Sequence, residues 1–171
     1  MPTNIEIKAR VDDLAPIRAV VKPLADGPAE MLDQEDIFLA APDGRLKLRT
    51  FGDQHGELIL YHRSDIPGPK TSHSTIAPTT DPDALRDILT AALGVLGVVR
   101  KRRWLYMVGQ TRVHLDEVVG LGEFVELEVV LRPDQPEEGG VAVARGLMAR
   151  LGIAEDQLVE MAYIDLMGGG P

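Results

Sequence analysis

The first regular rhythm in the chain runs from Asn4 to Val11. Ile5, Ile7, Ala9 and Val11 fall on one face, and Asn4, Glu6, Lys8 and Arg10 on the other. That period of two predicts a half-buried strand. Asp12 and Asp13 can then cap a helix to about Ala25, with Leu14, Ile17, Val21 and Leu24 at helical spacing. Pro16 is tolerable in its first turn, whereas Pro23 marks a kink or an early end. Strands are predicted over Gln34–Ala40, Arg45–Phe51 and Glu57–Arg63, separated by Pro42-Asp43-Gly44 and by the segment Gly52–Gly56. Ser64–Ser74 reads as a loop carrying Lys70, and Thr75–Pro78 as a short strand. Asp81-Pro82 opens a helix to about Leu96. Val98–Val108, Thr111–Val118 and Glu123–Leu131 read as three consecutive strands. A loop over Pro133–Gly140, a helix over Val141–Leu151 and a final helix over Asp156–Met167 complete the expectation, with Gly168–Pro171 fraying. The pattern is that of one domain over residues 1–171, without repeat or linker.

What sets these strands apart is their polar faces. A wet strand face usually carries scattered Thr, Ser and Gln. Here Glu6, Lys8 and Arg10 share a face, as do Arg45, Lys47 and Arg49. Lys101 and Arg103 form another ionic face, as do Arg112, His114 and Asp116, and Glu126 and Glu128. The opposite faces are aliphatic: Leu46 and Leu48; Val113 and Leu115; Val125, Leu127 and Val129. Two arrangements satisfy this. The apolar faces could form the core of an open sheet with the charges in bulk water. Alternatively, the strands could close into a barrel, apolar outside beneath the helices and charged within. The mixture of signs favours the barrel. Carboxylates that hold Mg²⁺ or Mn²⁺, beside cations that hold phosphate oxygens, make a balanced interior, whereas cations alone would repel one another.

Composition narrows the function classes. The chain of 171 residues has no cysteine, which excludes disulfides and thiolate metal sites. A net charge of −9 argues against a nucleic-acid binder, although cations concentrate on the strands. Met1–Arg10 carries charges and no apolar core, so it does not read as a secretory signal. The longest apolar stretch, Ala91–Val99, is too short for a membrane span. A cytoplasmic protein is expected. Gly120-Leu121-Gly122 lies between two strands and reads as a hairpin turn, and there is no P-loop run. His114 suits a binding role or a structural hydrogen bond equally well.

Asn4-Ile5-Glu6-Ile7-Lys8 resembles the Glu-x-Glu-x-Lys signature of the CYTH superfamily, the triphosphate tunnel metalloenzymes. In order along the chain follow Gln34–Phe38, Arg45–Arg49, Lys101-Arg102-Arg103, Thr111–Asp116, Gly120–Glu128 and Ala162–Leu166. The Gly120–Glu128 run and Arg63–Ser72 are most similar to the class IV adenylate cyclase branch. No single motif is diagnostic; the ordered set carries the resemblance.

The resemblance implies an α+β fold, a closed antiparallel eight-stranded tunnel with helices packed outside. It implies dependence on Mg²⁺ or Mn²⁺ and a small-molecule triphosphate substrate: inorganic triphosphate, thiamine triphosphate or a nucleoside triphosphate. Hydrolysis is the expected reaction. A class IV adenylate cyclase, making cyclic AMP and pyrophosphate from ATP, is the alternative, and a non-catalytic triphosphate- or polyphosphate-binding module the second. No nucleic-acid or membrane partner is expected, and the resemblance allows a homodimer. Carried over by position, Glu6, Asp116, Glu126 and Glu128 would be metal-side carboxylates, counted with Lys8 as catalytic. Lys8, Arg10, Lys47, Arg49, Lys70, Lys101, Arg103 and Arg112 would bind the triphosphate. Asn4 stands where the family has its first glutamate, His62 where a strand lysine is usual, and Ala162 where a serine is common.

Overall fold

The computed structural model describes residues 3–52 and 54–168. Thr3–Val11 (β1), Glu30–Leu39 (β2), Arg45–Phe51 (β3), Gly56–Arg63 (β4), Lys70–Thr79 (β5), Val95–Val108 (β6), Thr111–Val118 (β7) and Gly122–Val130 (β8) are strands. They close into a barrel in the order β1-β5-β4-β3-β2-β6-β7-β8, every pair antiparallel. Closure leaves no strand with a wholly unpaired edge. The expected tunnel fold is therefore present, apolar faces outward.

Those faces are covered by Leu14–Leu24 (α1) and Glu137–Arg150 (α3). Ile5, Ile7, Val113, Leu115, Val125, Leu127 and Val129 are fully buried against Ile17 and Val21 of α1 and Ala144, Leu147 and Met148 of α3. Asp13 caps α1 by accepting from the Ala15 N–H, and Pro23 lies in its last turn. Pro82–Leu93 (α2) rests against β2 and β3. Tyr163–Leu166 (α4), a single turn, packs at one mouth of the barrel with Phe38, Val99 and Phe124. No helix among the described residues is long and apolar enough to cross a membrane.

Six expected elements differ: β2 begins at Glu30 rather than Gln34, β6 begins at Val95 rather than Val98, and four others depart further. Lys70 is not in a loop: β5 begins there, pairing with Glu6 of β1. The helix from Pro82 stops at Leu93 because Gly94, at φ 80°, turns the chain out of the helix. α3 starts four residues before Val141. Gly139 and Gly140 hide its first turn from a propensity reading, yet Gly140 lets the helix approach Ile5 and Leu131 closely. The expected helix over Asp156–Met167 is instead a 3₁₀ turn at Glu155–Gln157, an extended segment, and α4. The register of β1 with β5 ends at Glu6 and Lys70. The freed edge of β1 takes the extended segment instead: Leu158 bridges Ala9, and the Val159 N–H donates to the Lys8 carbonyl at 2.9 Å. Of the expected frayed tail, Gly168 ends in a turn and residues 169–171 lie outside the described residues.

Candidate active site

Closing the barrel turns the ionic strand faces toward one another across a cavity of about 340 Å³. Seven cations line it, Lys8, Lys47, Arg49, Arg63, Lys101, Arg103 and Arg112, against five carboxylates, Glu6, Asp36, Glu57, Glu126 and Glu128. In a chain of net charge −9, the cavity is formally cationic, although Asp116 offsets one of these charges from behind the wall.

The charges are sorted by wall. On the β2–β3–β6 side a single carboxylate, Asp36, gathers three cations. Arg49 donates to both its oxygens at 2.7 Å, Lys47 approaches to 3.2 Å, and Lys101 lies 3.6 Å away. Burial pushes the Asp36 carboxyl up, but Arg49, Lys47 and Lys101 together hold it well below the usual carboxylate range. Burial pushes the lysines the other way: Lys47 falls to about 8, and Lys101 drops well below its ordinary value, with Arg103 reinforcing the shift.

The β1–β8–β7 side carries Glu6, Glu126 and Glu128, while Glu57 stands on β4 beside Arg49. Register places Glu6 beside Glu128 and Lys8 beside Glu126. Glu126 accepts from Arg103 at 2.9 Å and pairs with Lys8 at 3.2 Å. Burial raises the Glu126 carboxyl, and Lys8 and Arg103 outweigh it, leaving it well below the usual range. Glu6 faces Arg63 at 3.5 Å. Glu128 accepts from the Asn4 amide at 2.6 Å and has Arg112 at 3.6 Å. The Asn4 Oδ1 is buried and has no hydrogen-bond partner among the described residues. His114 is buried 3.7 Å from Glu126, and burial together with Arg103 pushes its pKa down.

Of the residues expected at the site, Glu6, Lys8, Lys47, Arg49, Lys101, Arg103, Arg112, Glu126 and Glu128 share this one cavity. Three do not line it. Asp116 is fully buried behind Arg103, which donates to both its oxygens at 2.7 and 2.6 Å, and its Oδ2 also accepts from the Tyr163 hydroxyl at 2.7 Å. Arg10 reaches outward to the Leu121 carbonyl and lies over the Phe124 ring. Lys70 donates to the carbonyls of Ile66 and Glu160, beside a small void that it shares with Glu6, Lys8 and Arg63. Burial lowers the Lys70 pKa to about 8.

The sequence reading missed Asp36, Arg63 and Tyr163 as site residues. The Tyr163 ring lies 3.7 Å beneath the Lys8 ammonium. Parity gave a signal for Arg63, which shares a strand face with Glu57 and Tyr61. None singled out Asp36, since β2 carries charge on both faces. Among the described residues, no three His, Asp or Glu side chains are gathered as a ready metal cluster; Glu6, Glu126 and Glu128 are each turned onto a cation or an amide instead.

The chain is thus an eight-stranded antiparallel tunnel whose interior is lined by cations and carboxylates. The CYTH domain profile matches residues 2–163, and the chain belongs to that family. It is 27% identical to adenylate cyclase CyaB of Aeromonas hydrophila, over 94% of this chain and 86% of that protein. Its fold is similar to that of the PH1012 protein of Pyrococcus horikoshii, with a TM-score of 0.83, 24% identity, and 95% and 98% of the two chains covered. It is also similar in fold to a Hippeastrum protein described as having a dominant triphosphatase activity. That likeness has a TM-score of 0.66 at 15% identity and covers 98% of this chain and 96% of the other.

Proposed function

We propose that this chain carries out metal-dependent phosphoryl transfer on a linear triphosphate held in the tunnel, with hydrolysis of the terminal phosphoanhydride as the reaction. The observation that carries the reading is the sorted, net-cationic cavity inside an acidic chain. A polyanion is the ligand that such an interior repays.

In this reading Lys47, Arg49 and Lys101 donate to phosphate oxygens from the β2–β3–β6 wall, with Arg103, Arg63 and Arg112 completing the cradle. Asp36 holds three of these cations in place before the ligand arrives, so little reorganisation is needed on binding. Glu6, Glu126, Glu128 and the unpartnered Asn4 Oδ1 are hard oxygen donors, and their chemistry fits Mg²⁺ or Mn²⁺. A divalent ion bound there supplies neutralisation of phosphate charge and a more acidic water. Water adds to the terminal phosphorus, the bond from that phosphorus to its bridging oxygen breaks, and orthophosphate and a diphosphate leave. Asp116, which accepts from the Tyr163 hydroxyl, fixes Arg103 from behind the wall.

Similarity to adenylate cyclase CyaB supports a second reading on the same cradle. The ribose 3′-oxygen of ATP would attack the α-phosphorus, and pyrophosphate would leave. Incubation with inorganic triphosphate, thiamine triphosphate and ATP, each with Mg²⁺ or Mn²⁺, separates the readings. Orthophosphate release is expected. Cyclic AMP with pyrophosphate would replace hydrolysis by cyclisation, and binding without turnover would reduce the protein to a binding module.

A further inference from the structure

Of the chain's four histidines, His55, His62 and His73 are exposed, whereas His114 lines the tunnel. It is 5% exposed, and its cross-strand partner on β8 is Glu126. Its Nδ1 is buried, has no hydrogen-bond partner among the described residues, and stands 3.7 Å from Glu126 Oε2. At that distance a proton on Nδ1 makes no hydrogen bond to the carboxylate. The unmatched nitrogen is therefore read as a lone pair, with the ring proton on Nε2. A buried polar atom left unmatched destabilises a fold, so one that persists calls for an explanation.

The same condition recurs on the other side of β8. Asn4, 6% exposed on β1, donates its amide to Glu128 and leaves its Oδ1 unmatched. β1, β8 and β7 are neighbours in the barrel, and Glu126 and Glu128 share one face of the middle strand. Two unmatched acceptors thus flank two carboxylates on one wall. Lys8 and Arg103 answer the charge of Glu126, but neither the His114 lone pair nor the Asn4 oxygen is answered. Gln34 Oε1, also unmatched, belongs to the opposite wall, where Asp36 gathers cations. Lone pairs set beside carboxylates are matched by a cation.

We infer that His114 Nδ1 is a ligand of the tunnel's divalent ion, beside Glu126, and that the site accordingly selects Mn²⁺ or another first-row transition ion over Mg²⁺. This inference rests on the proposed metal-dependent reading and adds a ligand and the class of metal. Mg²⁺ takes oxygen donors and gives up its waters reluctantly. An imidazole nitrogen is a softer donor that suits first-row transition ions better. Asn4 acts in the same direction, since its neutral oxygen lowers the anionic charge that a hard ion depends on.

The test is pulsed electron paramagnetic resonance of Mn²⁺ on the intact chain, where a directly bound imidazole gives a nitrogen modulation of the spin echo. The modulation is expected in the native chain and in the variant combining His55→Asn, His62→Asn and His73→Asn, and it is lost in His114→Asn. In thermal-shift titrations His114→Asn raises the half-saturating Mn²⁺ concentration about tenfold and that of Mg²⁺ less than about twofold. Should His114→Asn fail to fold, the native chain and the triple variant decide the matter, since His114 is the only histidine they share. No nitrogen modulation in the native chain, its loss in the triple variant, or its survival in His114→Asn would overturn the inference. Calorimetric titration of inorganic triphosphate in chelator keeps this inference apart from the tunnel reading. Triphosphate binding without nitrogen modulation removes His114 from the metal and leaves the tunnel intact, whereas modulation without triphosphate binding keeps the ligand and removes the substrate.

Discussion

Two lumen side chains carry testable consequences on their own. The first is Lys47, whose pKa burial lowers to about 8, helped by Arg49 and opposed by Asp36. A bound polyanion favours the protonated amine, so above pH 8 the free protein must take up a proton to bind. Triphosphate affinity measured in chelator therefore falls about tenfold between pH 7 and pH 9. Lys47→Arg, which keeps its charge throughout, makes that fall shallower, and Lys101, whose pKa burial and Arg103 also lower, carries what remains. Lys70 titrates in the same window but donates to backbone carbonyls, and the arginine variant separates the two. The second is Asn4. Its amide donates to Glu128, where a carboxylate would repel it. Asn4→Glu lowers the Mn²⁺ concentration that half-saturates the protein in a thermal-shift titration and weakens triphosphate binding in chelator. An unchanged Mn²⁺ midpoint would place Asn4 outside the metal's reach. Residue parity made most of this lumen legible, because alternation assigns each side chain to a face. It could not assign depth along the barrel. Asp116 and Arg10 have the inward parity of their neighbours, yet lie at the end filled by Phe124 and Tyr163, and so miss the cavity.

At the scale of elements, the strands were legible because one face of each is buried under helices and the alternation is strict. The helices were less so. Gly139 and Gly140 weaken the propensity of the first turn of α3, but the position needs glycine. A Cβ on Gly140 would lie 2.5 Å from a Leu131 methyl and 2.7 Å from Ile5 Cγ1, between the helix and β1. Gly140→Ala thus lifts α3 from the barrel. Overpacking of this kind costs about 1–3 kcal/mol, read as a lower urea midpoint, with triphosphate affinity unchanged because α3 lies outside the barrel. A variant as stable as the native chain would show that α3 has room to shift. The segment after Gln157 was misread as helix for a different reason. Its backbone partner is the open edge of β1, a tertiary hydrogen bond that no local pattern announces.

The whole molecule sets an acidic exterior around a lumen of opposite sign. Closure of the barrel makes this possible: buried cations on Asp36 and Glu126 would be costly if unpaired, and the circular arrangement of strands supplies each with a partner. The sorting of charge between two walls is a property of strand order, with β2 beside β3 and β6, and β1 beside β8. It emerges only when the eight strands are joined. The account rests on these lumen cations binding a linear triphosphate. Calorimetric titration of inorganic triphosphate, in chelator, into the native chain, Lys101→Ala and Arg10→Ala tests it most directly. The account predicts saturable binding by the native chain, a loss of about ten- to hundredfold in Lys101→Ala, the worth of a charged hydrogen bond, and no change in Arg10→Ala. Absence of native binding, or equal weakening by the outward-facing Arg10→Ala, would contradict it.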